Sequence, residues 1–412
     1  MSRQWGLIAL AVTGALPALV LRLISITDAA DLGLSPLAES AIYGVGILSA
    51  ATLLVWASEV AETEVSAALA LVVLALIAVL PEYAVDLYFA WSAPDDPEAA
   101  SLAIANMTGA NRLLVGLAWP VIFLIFYLRT KRKVMPVDSY NSLGILFLGG
   151  ATLWSFTIPL RGHLSLLDTA VMFSLFAAYL YISSRSPPEE DRVFVGPAAA
   201  IAKLARGQRR LAILGMFVFS ATVIFAAAEP FAEGLRHTGE DLGVSKFILI
   251  QWVAPLASET PEFLLAGLLA MRGRHDAAMT ILISSKVNQW TMLIGSLPLA
   301  FSISGGTFEP LDFDTRQSEE VFLTAGQSMF AVAILVSLSM GRWEAGVLAG
   351  LFGTQFFFTN GDIRLAYGGL YCALAVLILA RDVPGMPHFF RSVRETATGQ
   401  ANLGKGEHTR LE

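Results

Sequence analysis

The stretch Pro255-Leu-Ala-Ser-Glu-Thr-Pro-Glu262 interrupts a run that is otherwise apolar, FILIQWVA before it and FLLAGLLA after it. Two carboxylates and two prolines stand where a lipid-facing helix would carry leucine and valine. Inserting a carboxylate at the centre of a membrane helix costs about 2.5 to 3.5 kcal/mol. Proline has no amide hydrogen and clashes with the preceding turn, so it frees backbone carbonyls just ahead of it. Such a segment is tolerable where it faces water, a cation or a proton, and it therefore reads as a working part of a membrane bundle.

The rest of the chain agrees. Of 412 residues 55% are hydrophobic and 15% charged, and the mean hydropathy is +0.64, a composition that belongs mostly inside a bilayer. Twelve apolar segments can be read, roughly 5 to 25, 38 to 57, 66 to 92, 100 to 128, 141 to 160, 167 to 183, 210 to 232, 244 to 271, 276 to 300, 321 to 339, 343 to 359 and 364 to 380. Several reach the roughly 20 residues that span about 30 Å of hydrocarbon. With no water to satisfy their backbones, they are expected to be helices. The first is too long for a signal-peptide core and reads as a membrane helix.

The formal charge of -7 comes with no basic face that could hold a nucleic acid. The single cysteine, Cys372, excludes an intramolecular disulfide. His163, His237, His275, His388 and His408 fall in loops or the tail and make no metal motif. An intramembrane enzyme would want a paired catalytic aspartate or a histidine set, and a channel a symmetric ring of carbonyl donors.

Basic residues gather on one side: Arg129-Thr-Lys-Arg-Lys133, the linker 184–209, Arg272, Arg274, Arg342 and the tail from Arg381. The positive-inside rule makes that side cytoplasmic, with both termini on it. Asp95, Asp96, Glu98, Glu233, Glu240, Asp241, Glu309, Asp312, Asp314, Glu319 and Glu320 then read as outer-loop acids, while Arg161, Arg316, Glu59, Glu62 and Glu64 stand on the less expected side and Arg22, Arg236 and Arg364 lie near outer ends.

The opening stretch has an echo. Pro81-Glu82 also interrupts a long apolar segment, and in each case the next segment carries a polar cluster, Asn106-Met-Thr-Gly-Ala-Asn-Arg112 or Ser284-Ser-Lys-Val-Asn-Gln289. Glu82 lies 24 residues before Asn106, and Glu262 lies 24 before Lys286. The two Pro-Glu segments are the third and the eighth, an odd offset, so they cross in opposite directions. That is the signature of an inverted-topology repeat with discontinuous helices.

Helical periodicity adds Asp86, four residues after Glu82, and Glu259, three before Glu262, to the same faces. Carboxylate oxygens, freed carbonyls and the neutral oxygens of Asn106, Thr108, Asn111, Ser284, Ser285 and Asn288 are hard ligands of the kind calcium and sodium prefer. Glu229 is a more remote candidate. Lys286 and Arg112, both embedded in apolar sequence, are each placed to neutralise an acidic partner, and Lys286 stands where another transporter would hold a cation.

The pattern resembles the calcium/cation antiporter superfamily, which includes sodium/calcium and proton/calcium exchangers. That family carries two inverted repeats, each with a G-[ST]-S-x-P-E type motif followed by a G-N-x-x-G-[ST]-N type motif. Here IAVLPE keeps Pro81 and Glu82; ASETPE keeps Pro261 and Glu262, with Ser258 at the hydroxyl position; ANMTGAN keeps Asn106, Gly109 and Asn111. SKVNQWT keeps the register alone, with Lys286 at the Asn106-like place. Val79 and Glu259 stand where the family has a hydroxyl before the proline.

The resemblance implies an all-α polytopic membrane protein with two inverted repeats and about 12 transmembrane helices, a ten-helix core plus flanking helices. The divisions expected are an extra N-terminal helix and outer loop at 1–37, a first repeat at 38–183, a cytoplasmic linker at 184–209, a second repeat at 210–360, an extra helix at 361–381 and a cytoplasmic tail at 382–412. It implies no catalytic residue and no cofactor, but a transported cation, calcium or sodium, exchanged for protons or sodium by alternating access in a cell inner membrane. The partners are then inorganic cations, protons and the lipid bilayer. The implied ligand set is Glu82, Glu262, Asn106, Ser285, Glu259, Asp86 and Ser258, with Lys286 beside it. The rival readings are an ion-binding scaffold that does not transport, and an intramembrane enzyme.

Overall fold

The computed structural model describes residues 2–28, 32–61, 80–184, 194, 196–355, 357 and 360–398. Glu62, Glu64, Val79, the start of the third apolar segment, Arg185 and Arg192 of the linker, and the tail beyond 398 with His408 lie outside the described residues. What is described is helical almost throughout, and helices lie over each of the apolar segments. Among the described residues seven helices are long and apolar enough to cross a membrane: Arg3–Thr27, Pro36–Ala61, Pro97–Thr130, Ser139–Arg161, Leu166–Ser183, Arg206–Leu242 and Gly361–Ala397.

The chain forms two compact units. The first takes Met1–Ser92 and Glu189–Glu262. In it the long helix Arg206–Leu242 packs along Pro36–Ala61, and Ser2–Thr27 packs on both. Small residues permit this, because apolar side chains gain little by leaving lipid and the helices must touch closely to attract. A Cβ on Gly46 would fall 2.4 Å from the Ala18 side chain, and one on Gly234 2.4 Å from Ser40 Oγ. The helix Leu80–Ser92 also rests on Arg206–Leu242, where Tyr88 donates its hydroxyl hydrogen to Glu233 Oε1 at 2.8 Å.

The second unit takes Ala93–Pro188 and Phe263–Glu412. Pro97–Leu113 starts under an Asp96 cap, whose side chain accepts from the Glu98 amide at 3.0 Å, with Pro97 in the first turn. It passes through a π turn, Leu114–Ala118, into Trp119–Thr130. The same succession recurs later, with His275–Asn288, a π turn at Gln289–Leu293 and Ile294–Gly305. Two antiparallel ladders, Val134–Pro136 with Ser339–Gly341 and His163–Leu164 with Leu311–Asp312, join loops of this unit.

Thr315–Leu335 is the helix on which much of the second unit is built. It begins with a reciprocal cap, Gln317 donating its amide to Asp314 Oδ1 at 2.7 Å and accepting the Asp314 amide at 3.3 Å. It packs on Gly361–Asp382 so closely that a Cβ on Gly326 would lie 2.7 Å from the Gly368 carbonyl oxygen. Glu319 and Glu320, expected in an outer loop, are buried in its early turns. They are held there by arginines of neighbouring helices.

Candidate functional site

Four carboxylates come together in the first unit. Glu82 and Asp86 sit on the Leu80–Ser92 helix, Glu259 and Glu262 on the Lys246–Met271 helix, and all four are buried. The Glu82 carboxylate is close enough to Glu259, Glu262 and Asp86 to feel their charges. It is 1% exposed, and neither of its oxygens meets a hydrogen-bond partner among the described residues. A charge so placed is stable only with a cation or a proton on it. Among the described residues no group of three His, Cys, Asp or Glu side chains is placed as a closed set of metal ligands.

The prolines act more gently than the sequence suggests. The backbone stays helical from Lys246 through Pro255 and Pro261 to Met271, so on this helix hydrogen bonds are removed without unwinding. Ser258 turns its hydroxyl back to the carbonyls of Ala254 at 3.4 Å and Pro255 at 3.3 Å on its own helix, the usual back-bonding of a serine within a helix. Pro81 stands in the first described turn of its helix. Glu229 is removed from the site: it is half-exposed and ion-paired with Arg22.

The second unit holds the polar clusters. Asn106, Asn111, Arg112, Ser285, Lys286, Asn288 and Gln289 are all buried. Asn111 donates its side-chain amide to the Met107 carbonyl at 2.8 Å, which fixes which way the amide faces. Its Oδ1 then accepts from Lys286 Nζ at 2.7 Å, and its backbone carbonyl lies 3.3 Å from the same nitrogen. The ammonium also stands over the Trp290 ring, 4.4 Å from the centroid, in cation–π range.

One residue further on, Arg112 meets Glu320 at 2.6 Å, both almost wholly buried. Glu320 lies 3.7 Å from Arg364, which bonds Glu319 at 2.8 Å. Arg112 reaches Gln355 Oε1 at 3.4 Å, and Gln355 donates to the Tyr371 hydroxyl at 2.9 Å. Sequence reasoning missed Glu319, Glu320, Arg364 and Trp290. The available signal was Arg112 itself, since an arginine buried among apolar residues demands an acid on another helix.

The π turns also offer a second way to match the halves. Asn111 stands three residues before Leu114 and Lys286 three before Gln289, where the two π turns begin. Counted so, Lys286 answers to Asn111, whereas counting from the Pro-Glu pairs sets it opposite Asn106.

A bundle of apolar helices with a buried group of mutually repelling carboxylates describes a membrane transporter of cations. The sodium/calcium exchanger protein family matches this chain over residues 37–185 and 212–360. A solved structure described as the H+/Ca2+ exchanger CAX is 40% identical over 96% of this chain and 98% of its own, with a TM-score of 0.89. YfkE, described as a Ca2+/H+ antiporter protein, shares the fold at 18% identity and a TM-score of 0.60, over 87% of this chain and 99% of its own. The sodium-calcium exchanger NCX_Mj shares it at 17% identity and a TM-score of 0.51, over 86% of this chain and 100% of its own. A comparison with curated protein sequences finds no match. The chain belongs to the sodium/calcium exchanger protein family. It is a secondary active cation antiporter that works by alternating access, and not an enzyme.

Proposed function

We propose that this antiporter exchanges calcium for protons, with Glu82 and Glu262 as the carboxylates that take either ion. The observation that carries the reading is Glu82, whose two oxygens are buried without a hydrogen-bond partner among the described residues and beside three further acids. Calcium favours several carboxylate oxygens at once, and a proton neutralises the same oxygens one at a time. The two ions therefore exclude each other at these acids, and exclusion at one set of groups is what couples their opposite movements. The similarity to the H+/Ca2+ exchanger CAX supports this choice of ions.

In this reading the ligand set is the one the sequence pattern offers: Glu82 and Glu262, with the acids Asp86 and Glu259 and the neutral oxygens of Ser258, Asn106 and Ser285. Lys286 adds a fixed positive charge. The chain would cross the inner membrane about 12 times, as two inverted repeats of five helices with one flanking helix at each end and both termini cytoplasmic. The family match in two stretches, 37–185 and 212–360, supports the repeat, and the exposed Lys131, Arg132 and Lys133 support the orientation.

The test is calcium uptake into vesicles reconstituted with the purified chain, driven in turn by a pH gradient and by a sodium gradient. Uptake is expected with the pH gradient alone and is expected to fall as the calcium-loading side is acidified. Uptake indifferent to the pH gradient overturns the proton reading.

A further inference from the structure

We propose that Lys286 is a tethered cation filling a monovalent-cation subsite built by Asn111 and Trp290, and that its ammonium is what excludes sodium from this exchanger. The proposal rests on the antiporter reading above and adds to it the residue that selects the coupling ion.

The argument begins with how the ammonium is held. Arg112, also almost wholly buried, sits against the Glu320 carboxylate at 2.6 Å. Lys286 is fully buried and is held through a side-chain amide oxygen at 2.7 Å, a backbone carbonyl at 3.3 Å and an indole face at 4.4 Å. Neutral oxygens and a ring face are the donors that receive an alkali cation as readily as an ammonium.

The donors are also set in place before any ion arrives. The bond from Asn111 Nδ2 to the Met107 carbonyl at 2.8 Å turns Oδ1 toward Lys286. The Arg112–Glu320 pair pins the next residue of the same helix. Trp290 lies one turn after Lys286, inside the π turn Gln289–Leu293, and its ring meets its own helix's ammonium. π turns are frequent at functional sites, because the wider turn re-aims side chains.

Removing the ammonium while keeping the oxygens should therefore leave a place that a small monovalent ion can enter. With the lysine present, the charge is already there and cannot dissociate, so a sodium gradient has nothing to act on at this point. A fixed charge also acts as an ion that never leaves, which lowers by one the number of cations the exchanger has to carry in each cycle.

Lys286→Asn and Lys286→Arg test this in the full chain, reconstituted in vesicles, with calcium flux measured against sodium, potassium and choline chloride. In Lys286→Asn, sodium is expected to compete with or drive calcium at a concentration at least about tenfold lower than in the parent protein, equivalent to about 1.4 kcal/mol. Lys286→Arg is expected to keep the parent's indifference to sodium. A Lys286→Asn protein that moves calcium and ignores sodium as the parent does overturns the proposal.

If Lys286→Asn does not fold, melting of the parent protein in detergent decides. Sodium chloride is expected to shift its melting temperature no more than choline chloride does, and a sodium-specific stabilisation overturns the proposal. Failure of the underlying function is read separately, as calcium flux that survives Glu82→Gln.

Discussion

In the unit made of residues 1–92 and 189–262, Glu82 keeps both carboxylate oxygens clear of any hydrogen-bond donor among the described residues. In the other unit Arg112 and Glu320 are as deeply buried and meet at 2.6 Å. Both lie in an apolar bundle, but the second pair has its counter-charge built into the chain, while Glu82 meets no hydrogen-bond partner among the described residues. A paired charge is finished when the protein folds. An acid crowded by other acids is finished only when something mobile arrives, and a transporter needs that incompleteness because its cargo must leave again.

The largest effect is expected where the incompleteness lies. Glu82→Gln keeps the shape and removes the charge that a cation must meet. Calcium flux in vesicles is expected to fall by about 100-fold or more, equivalent to roughly 3 kcal/mol of lost binding. The same substitution relieves repulsion with Glu259, Glu262 and Asp86, so the melting temperature of the detergent-solubilised protein is expected to hold or rise. A variant that loses both flux and stability would show Glu82 to be structural, and the contrast between the two units would fall with it.

A smaller effect on transport, and a larger one on folding, is expected at the finished pair. Arg112→Met takes from Glu320 its 2.6 Å partner and leaves it the longer 3.7 Å approach of Arg364, so the loss is expected at or below the cost of a broken buried pair, about 3 to 5 kcal/mol. The double variant Arg112→Met with Glu320→Leu removes both charges and is expected to recover most of that loss, because two apolar side chains of similar size leave nothing unpaired. Thermal melting of the single and double variants measures the recovery. If the double variant is no better than the single, the pair has no closed electrostatic account of its own.

How much of this was legible in the sequence follows from the same contrast. That Glu82 and Glu262 lie in the interior could be read because an acid next to a proline in an apolar run has few structural excuses, and because the arrangement occurs twice at equal spacing. The partner of Arg112 could not be found, since Glu319 and Glu320 stand at the start of a helix and look like the acids of an outer loop. Depth is a tertiary property: two helices must be packed before it is known that Glu320 faces inward. The pairing of Lys286 with Asn111 was hidden for another reason. Counting residues from the Pro-Glu pairs assumes unbroken α-helix, and the π turns at Leu114–Ala118 and Gln289–Leu293 supply a different reference point. The effect of the prolines was overread, because a helix packed on neighbours can lose an amide hydrogen bond and remain helical. The apolar segments themselves needed no such context, since lipid leaves a backbone few alternatives.

The smallest effect should come from an acid that the sequence offered as a candidate and the structure removes. Glu229 is ion-paired with Arg22, at side-chain exposures of 49% and 25%. An exposed pair contributes about 0 to 1 kcal/mol, so Glu229→Gln is expected to leave the melting temperature within a few degrees of the parent and calcium flux within about twofold. This variant sharpens the comparison because it removes the same charge as Glu82→Gln from the same unit. What differs is whether the oxygens already have a partner. If flux collapses in Glu229→Gln as it does in Glu82→Gln, net charge in this unit governs transport and burial does not. If flux holds, the function belongs to the acids that folding leaves unfinished.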